Sequence, residues 1–157
     1  MDGERPVLEL HIYGSTQDGK LLESAILFKV GDENDFIQDI IESVGKTETS
    51  TFNLGSIYPQ GELDNYYYYI GSTSAPFPDC IEGTSWIIRD KHLELSSEQL
   101  TYFQEVWKTF ATYENKGRYR NVQPLNGRKV YHYQDDDDDD SAIYLALSYL
   151  LLAFFLI

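Results

Sequence analysis

Tyr69-Ile70-Gly71-Ser72-Thr73-Ser74-Ala75-Pro76, then Phe77-Pro78-Asp79, then Cys80-Ile81-Glu82-Gly83-Thr84-Ser85-Trp86-Ile87 is the stretch on which the fold turns. Tyr66 to Tyr69 form an unbroken aromatic run, which belongs in a strand of a packed sheet. Gly71 to Gly83 carries Pro76 and Pro78 and reads as an irregular loop. Thr84 to Arg89 returns to strand. A strand, a long proline-containing loop and a second strand point to a sheet whose connections are irregular and whose loops carry polar side chains.

The pattern extends in both directions. Val7 to Tyr13 alternates, with Val7, Glu9, His11 and Tyr13 on one face, as in a strand whose polar face is put to use. Ala25 to Val30 is a nearly continuous apolar run, expected as a buried strand that Gly31 ends. Asp32 is the expected cap of a helix, with Asp35 in its first turn and Phe36, Ile37, Ile40, Ile41 and Val44 at helical spacing. Residues 46 to 65 are rich in turn-forming residues and read as loop. Ser96 and Gln99 form a capping box ahead of the stripe Leu100, Phe103, Val106, Trp107 and Phe110. A turn at Gln123-Pro124-Leu125-Asn126-Gly127-Arg128 leads into a last strand, Lys129 to Tyr133. The fold class expected is mainly β with two surface helices.

Composition narrows the function. The chain has 157 residues, the size of one ordinary domain, and a formal net charge of −14. It carries no basic stripe, which argues against nucleic acid as a partner because phosphate contacts need Lys and Arg. Asp135 to Asp140 is an acidic run and reads as a solvated spacer. Residues 141 to 157 are apolar apart from two serines and two tyrosines and, as a helix, would reach about 25 Å. The expectation is a hydrophobic C-terminal helix, a transmembrane span or anchor signal, with the domain membrane-associated on the extracellular or lumenal side. Cys80 is the single cysteine, so no internal disulfide framework can be read. Met1-Asp2-Gly3-Glu4-Arg5 shows no signal-peptide core.

Four ordered segments resemble the α-carbonic anhydrases: Leu8-Glu9-Leu10-His11-Ile12; Phe28-Lys29-Val30-Gly31-Asp32-Glu33-Asn34; the stretch quoted at the outset; and Ser96-Ser97-Glu98-Gln99-Leu100 with the 123–128 turn after it. The match covers residues 7 to 131. It implies a large, mostly antiparallel twisted sheet with a zinc site in a central funnel, placed here in a partial domain of residues 1–134. It implies zinc as cofactor and CO2 and bicarbonate as partners. By resemblance His11 is a metal ligand, Glu9 the carboxylate that orients a zinc histidine, and Ser74 the hydroxyl that orients zinc-bound hydroxide. Tyr13, Thr84 and Trp86 match walls of the CO2 pocket. A solvent-facing strand residue is the plain alternative for Glu9. Cys80 matches a cysteine paired in secreted members, with a free buried thiol as the alternative.

The departures are as informative as the matches. The family's Glu-x-His-x-x-His arrangement reads Glu9-Leu10-His11-Ile12-Tyr13-Gly14 here, and His11 alone of the three zinc histidines has a match. Catalytic zinc takes three protein ligands and one open position for water. It then lowers the water's pKa to about 7, and carbonic anhydrase is the standard worked example of such a site. His92 and His132, the other two imidazoles, fall in no segment the family uses for metal. Tyr13 and Thr84 are bulkier or more polar than the family's aliphatic residues, and the loop after Pro76 is longer. Two readings follow. One is a fragment of a carbonic anhydrase with an incomplete zinc site, inactive alone. The other is a metal-free relative, a binding module displayed at a membrane.

Overall fold

The computed structural model describes residues 5–47, 49–58, 65–74, 81–109, 123–134 and 150–156. Among these described residues seven strands form one mixed sheet: β1 (Leu8–Ser15), β2 (Leu21–Val30), β3 (Asn65–Ser72), β4 (Glu82–Arg89), β5 (Leu93–Leu95), β6 (Tyr131–Gln134) and β7 (Leu150–Leu156). Their order is β6-β3-β4-β2-β1-β7, with β5 joined to β2 beyond the end of β4. The β1–β2, β1–β7, β3–β4 and β3–β6 pairs are antiparallel; β4 and β5 run parallel to β2. Helix α1 (Asp35–Ser43) and helix α2 (Ser97–Lys108) complete the regular structure with a short 3-10 turn at Leu54–Ser56.

Alternation decides which face is core. Leu8, Leu10 and Ile12 of β1 and Ile26 and Phe28 of β2 point to one side, where Phe36, Ile37 and Ile40 of α1 and Phe103 of α2 meet them. Glu9, His11 and Tyr13 therefore point to the other side. The register makes a row of that second face: Tyr13 pairs with Glu23, Glu23 with Trp86, and Trp86 with Tyr69.

The two helices are locked together through their caps. The Ser96 side chain accepts from the Gln99 N–H at 3.2 Å, and the Gln99 side chain accepts from the Ser96 N–H at 3.1 Å, the expected capping box. Gln99 also accepts from the Asn34 N–H at 3.0 Å and donates to the Asn34 carbonyl at 2.9 Å. Asn34, not Asp32, caps α1: its side-chain oxygen accepts from the Ile37 N–H at 3.2 Å. Gln99 holds the Asn34 backbone, and that selects the cap.

Other elements also depart from the sequence reading: β5 is absent from it, and the strand expected over Lys129 to Tyr133 is β6 at Tyr131–Gln134. The second strand starts at Leu21 rather than Ala25. Residues 150–156, expected in a hydrophobic helix, form β7 instead, paired with β1 from Gly14↔Leu150 to Leu8↔Leu156. The β1 edge opposite β2 carries backbone N–H and C=O groups that need partners, and a strand supplies them where a helix does not. Among the described residues no helix is long and apolar enough to cross a membrane. Residues 135–149, with the acidic run, lie outside the described residues, as do Phe110 and the segment 75–80 with Cys80.

Candidate functional site

The polar face of β1 meets the end of β3 at one point. Past Ser72 the chain is fixed by two hydrogen bonds: the Thr73 N–H donates to the Ile81 carbonyl at 3.0 Å, and the Ile81 N–H donates to the Thr73 hydroxyl at 3.0 Å. Trp86 adds a third, donating from Nε1 to the Ser72 carbonyl at 2.9 Å. These bonds carry Ser74 over the sheet. Its Oγ lies 2.7 Å from His11 Nδ1 and 2.6 Å from the Tyr13 hydroxyl. The Trp86 ring stands edge-on to the His11 ring at 5.3 Å between centroids. His11, Ser74 and Trp86, matched to one site by the resemblance, are thus brought together, and Tyr13 joins them. Thr84 is buried on the same face and turns its hydroxyl to the Ile81 carbonyl at 3.0 Å.

The group that sequence reasoning missed is Glu23. Its side chain is fully buried, and its Oε1 lies 2.7 Å from His11 Nδ1. Ser74 donates to it twice, from its hydroxyl to Oε1 and from its N–H to Oε2, the latter at 3.1 Å. Glu9 closes the far side of the ring, with Oε1 2.7 Å from His11 Nε2. His11 is therefore an imidazole between two carboxylates. Burial disfavours its charged form, but the Glu23 and Glu9 carboxylates outweigh burial and raise its pKa above 6.5. The Ser74 hydroxyl donates to Glu23 and so accepts from the Tyr13 hydroxyl or from His11 Nδ1, while Glu9 faces His11 Nε2 as a charge partner at 2.7 Å. Next along the row, Tyr69 stacks on Trp86 at 5.8 Å, and burial with the Glu9 and Glu23 charges pushes its hydroxyl up to about 12.

The described residues do not fit a zinc ion. Both ring nitrogens of His11 already face oxygen atoms at 2.7 Å, and the two carboxylates lie on opposite edges of the ring, so one metal cannot take both. No group of three His, Cys, Asp or Glu side chains among the described residues is arranged to hold a metal. His132 is elsewhere: it stacks on Tyr67 at 4.2 Å and bonds Asp90 at 3.1 Å.

A family model described as eukaryotic-type carbonic anhydrase matches residues 1–134. Alpha carbonic anhydrase 3 of Arabidopsis thaliana is 32% identical over 137 residues, which is 83% of this chain and 47% of that protein. Dioscorin dioA3 of Dioscorea japonica is 32% identical over 142 residues, 86% of this chain and 50% of that one. Among solved structures, the α-carbonic anhydrase of Thermovibrio ammonificans with the inhibitor sulfanilamide superposes with a TM-score of 0.62 at 32% identity, over 78% of this chain and 52% of that one. Dioscorin complexed with ascorbate gives a TM-score of 0.70 at 27% identity, over 88% and 58%. The chain spans about half the length of the curated relatives it matches.

Proposed function

The chain belongs to the eukaryotic-type carbonic anhydrase family, and from that premise we propose that its own site does not hydrate CO2 through zinc-bound hydroxide. One observation carries the reading: His11 Nδ1 is engaged by Glu23 Oε1 and Ser74 Oγ at 2.7 Å each. A catalytic zinc takes three protein ligands and keeps a fourth position for water, and here one matched imidazole is held by its own carboxylates. The walls agree. Glu23 and Tyr13 stand side by side in the row that leads to Trp86, so this face of the sheet is polar and acidic where CO2 favours an apolar surface. Bicarbonate would meet two carboxylates there. The reading is therefore a carbonic anhydrase-related binding domain.

A second reading rests on length. The chain spans about half of its curated relatives, so in a longer protein His11 would join further ligands in a zinc site acting on CO2 and bicarbonate, with Ser74 orienting the hydroxide. That arrangement requires Glu23 to withdraw from His11. Stopped-flow CO2 hydration with added zinc distinguishes the two. The chain alone is expected to match the buffer rate. Zinc-dependent turnover that His11→Ala abolishes would overturn the first reading.

A further inference from the structure

The contacts around Ser74 have a chemistry that needs no metal. We propose that Ser74 is the nucleophile of an acyl-transfer site, with Glu23 as its base and Tyr13 as the donor to the developing oxyanion. The pattern that marks such a site is a nucleophile within hydrogen-bond reach of a base that a third group orients. All three links are present. The Ser74 hydroxyl donates directly to Glu23. Glu23 is oriented by His11 Nδ1 at 2.7 Å and by the Ser74 N–H at 3.1 Å. His11 is oriented in turn by Glu9 at 2.7 Å. His11 and Glu9 are positioning residues, acting through Glu23.

Exposure is graded in the sense the chemistry requires. Glu23 is fully buried and His11 is 4% exposed, whereas Ser74 and Tyr13 are partly open to solvent. Ser74 and Tyr13 thus lie on the more open side of the cluster, and the base is shielded behind them. The Tyr13 hydroxyl, 2.6 Å from Ser74 Oγ, lies within reach of an oxygen on the carbon that Ser74 attacks. In the step itself, Ser74 Oγ bonds to the ester carbonyl carbon while its proton passes to Glu23. Taking that proton neutralises Glu23, so the oxyanion faces no anion as it forms. Collapse breaks the carbon–oxygen bond to the leaving alcohol, which recovers the proton from Glu23. Water repeats the sequence on the acyl-serine and releases the carboxylic acid. With Glu9 and Glu23 beside the reacting centre, the substrates are small neutral or cationic esters; anionic ones are repelled.

The test uses the full chain with p-nitrophenyl acetate in the presence of a chelator, and a fluorophosphonate probe followed by peptide mass mapping. Hydrolysis insensitive to chelation is expected, with the probe on Ser74 and both lost in Ser74→Ala. Glu23→Gln keeps hydrogen-bonding capacity and is expected to lower kcat about 10²–10⁴-fold, the range of general-base contributions. His11→Gln is expected to lower kcat with KM nearly unchanged, a split that a loosened fold would not give. Hydrolysis persisting in Ser74→Ala, or no adduct on Ser74, overturns this proposal alone. Hydrolysis abolished by chelation overturns it together with the metal-free reading of the site.

Discussion

Replacing His11 by Leu tests the electrostatics of the site most directly. The substitution leaves Glu23 fully buried without its cationic partner, since the remaining contacts to Glu23 come from Ser74. Removing one member of a buried ion pair costs about 3–5 kcal/mol, because the surviving charge is stranded. That is a large share of the roughly 5–15 kcal/mol that holds a domain together. For a chain of this size it corresponds to a fall in Tm of about 6–20 °C, at about 2–4 °C per kcal/mol. Glu23→Leu alone is expected to cost less, because His11 keeps Glu9 as a partner. The double variant, apolar at both positions, is expected within about 1 kcal/mol of the parent. Urea denaturation followed by tryptophan fluorescence, to which Trp86 contributes with its ring 5.3 Å from His11, reads the whole cycle. The pH dependence has a fixed sign. The pKa of His11 is raised in the folded state, so its contribution is fully present below about pH 6.5 and fades as pH rises through the higher folded value. The deficit of His11→Leu therefore shrinks at alkaline pH. A single variant that loses under about 1 kcal/mol at pH 6, or a double variant no better than His11→Leu, would refute the reasoning.

Three further outcomes are expected. Deleting residues 150–156 leaves the β1 edge without its partner, so amide hydrogen exchange in Leu8–Ser15 should accelerate while α2 stays protected; unchanged β1 protection would argue against the β1–β7 pairing. Ser96→Ala removes the side-chain half of the capping box and should cost about 1 kcal/mol in urea titration, with a loss below a few tenths counting against it. A Cβ added at Gly71 would come within 2.8 Å of the Tyr69 ring and 3.2 Å of Trp86, so Gly71→Ala should destabilise by about 1–3 kcal/mol, and near-UV circular dichroism should report the disturbed aromatic pair.

Where local pattern carried the information, the sequence predicted the structure. The capping box at Ser96 and Gln99 is a three-residue signal, and it appears with both of its hydrogen bonds. The Val7–Tyr13 alternation placed Glu9, His11 and Tyr13 on one face because strand geometry has a period of two. Ser74 was found 63 residues from His11 only because whole segments occur in family order; no local rule joins them. The misses have physical causes. An apolar run of seven residues suits a buried strand or a helix equally by periodicity, and the partner that decides for β7 is more than a hundred residues away. β5 has three residues, too few to show a period. Asp32 and Asn34 both offer a capping oxygen, and the choice is made by Gln99, 65 residues distant.

Glu23 is the most consequential miss, and a signal for it exists. It interrupts Leu21-Leu22 and the run from Ala25, so a strand begun at Leu21 places it on the same face as Ala25 and Leu27. A carboxylate at such a position is either at an exposed edge or paired inside. Sequence alone leaves that open, because the answer is the β1–β2 register. Tyr13↔Glu23 and His11↔Ala25 put the carboxylate beside His11, with a small side chain directly opposite the ring. A shift of one residue would send Glu23 into the core among Leu10, Ile12 and Ile26, which is apolar among the described residues. His11 and Glu23 thus fix each other's strand alignment as well as each other's charge. The resemblance to carbonic anhydrases is spread over the whole sheet and survives any one substitution. The chemistry of the site rests on a single row of that sheet, and in this chain Glu23 makes the row acidic.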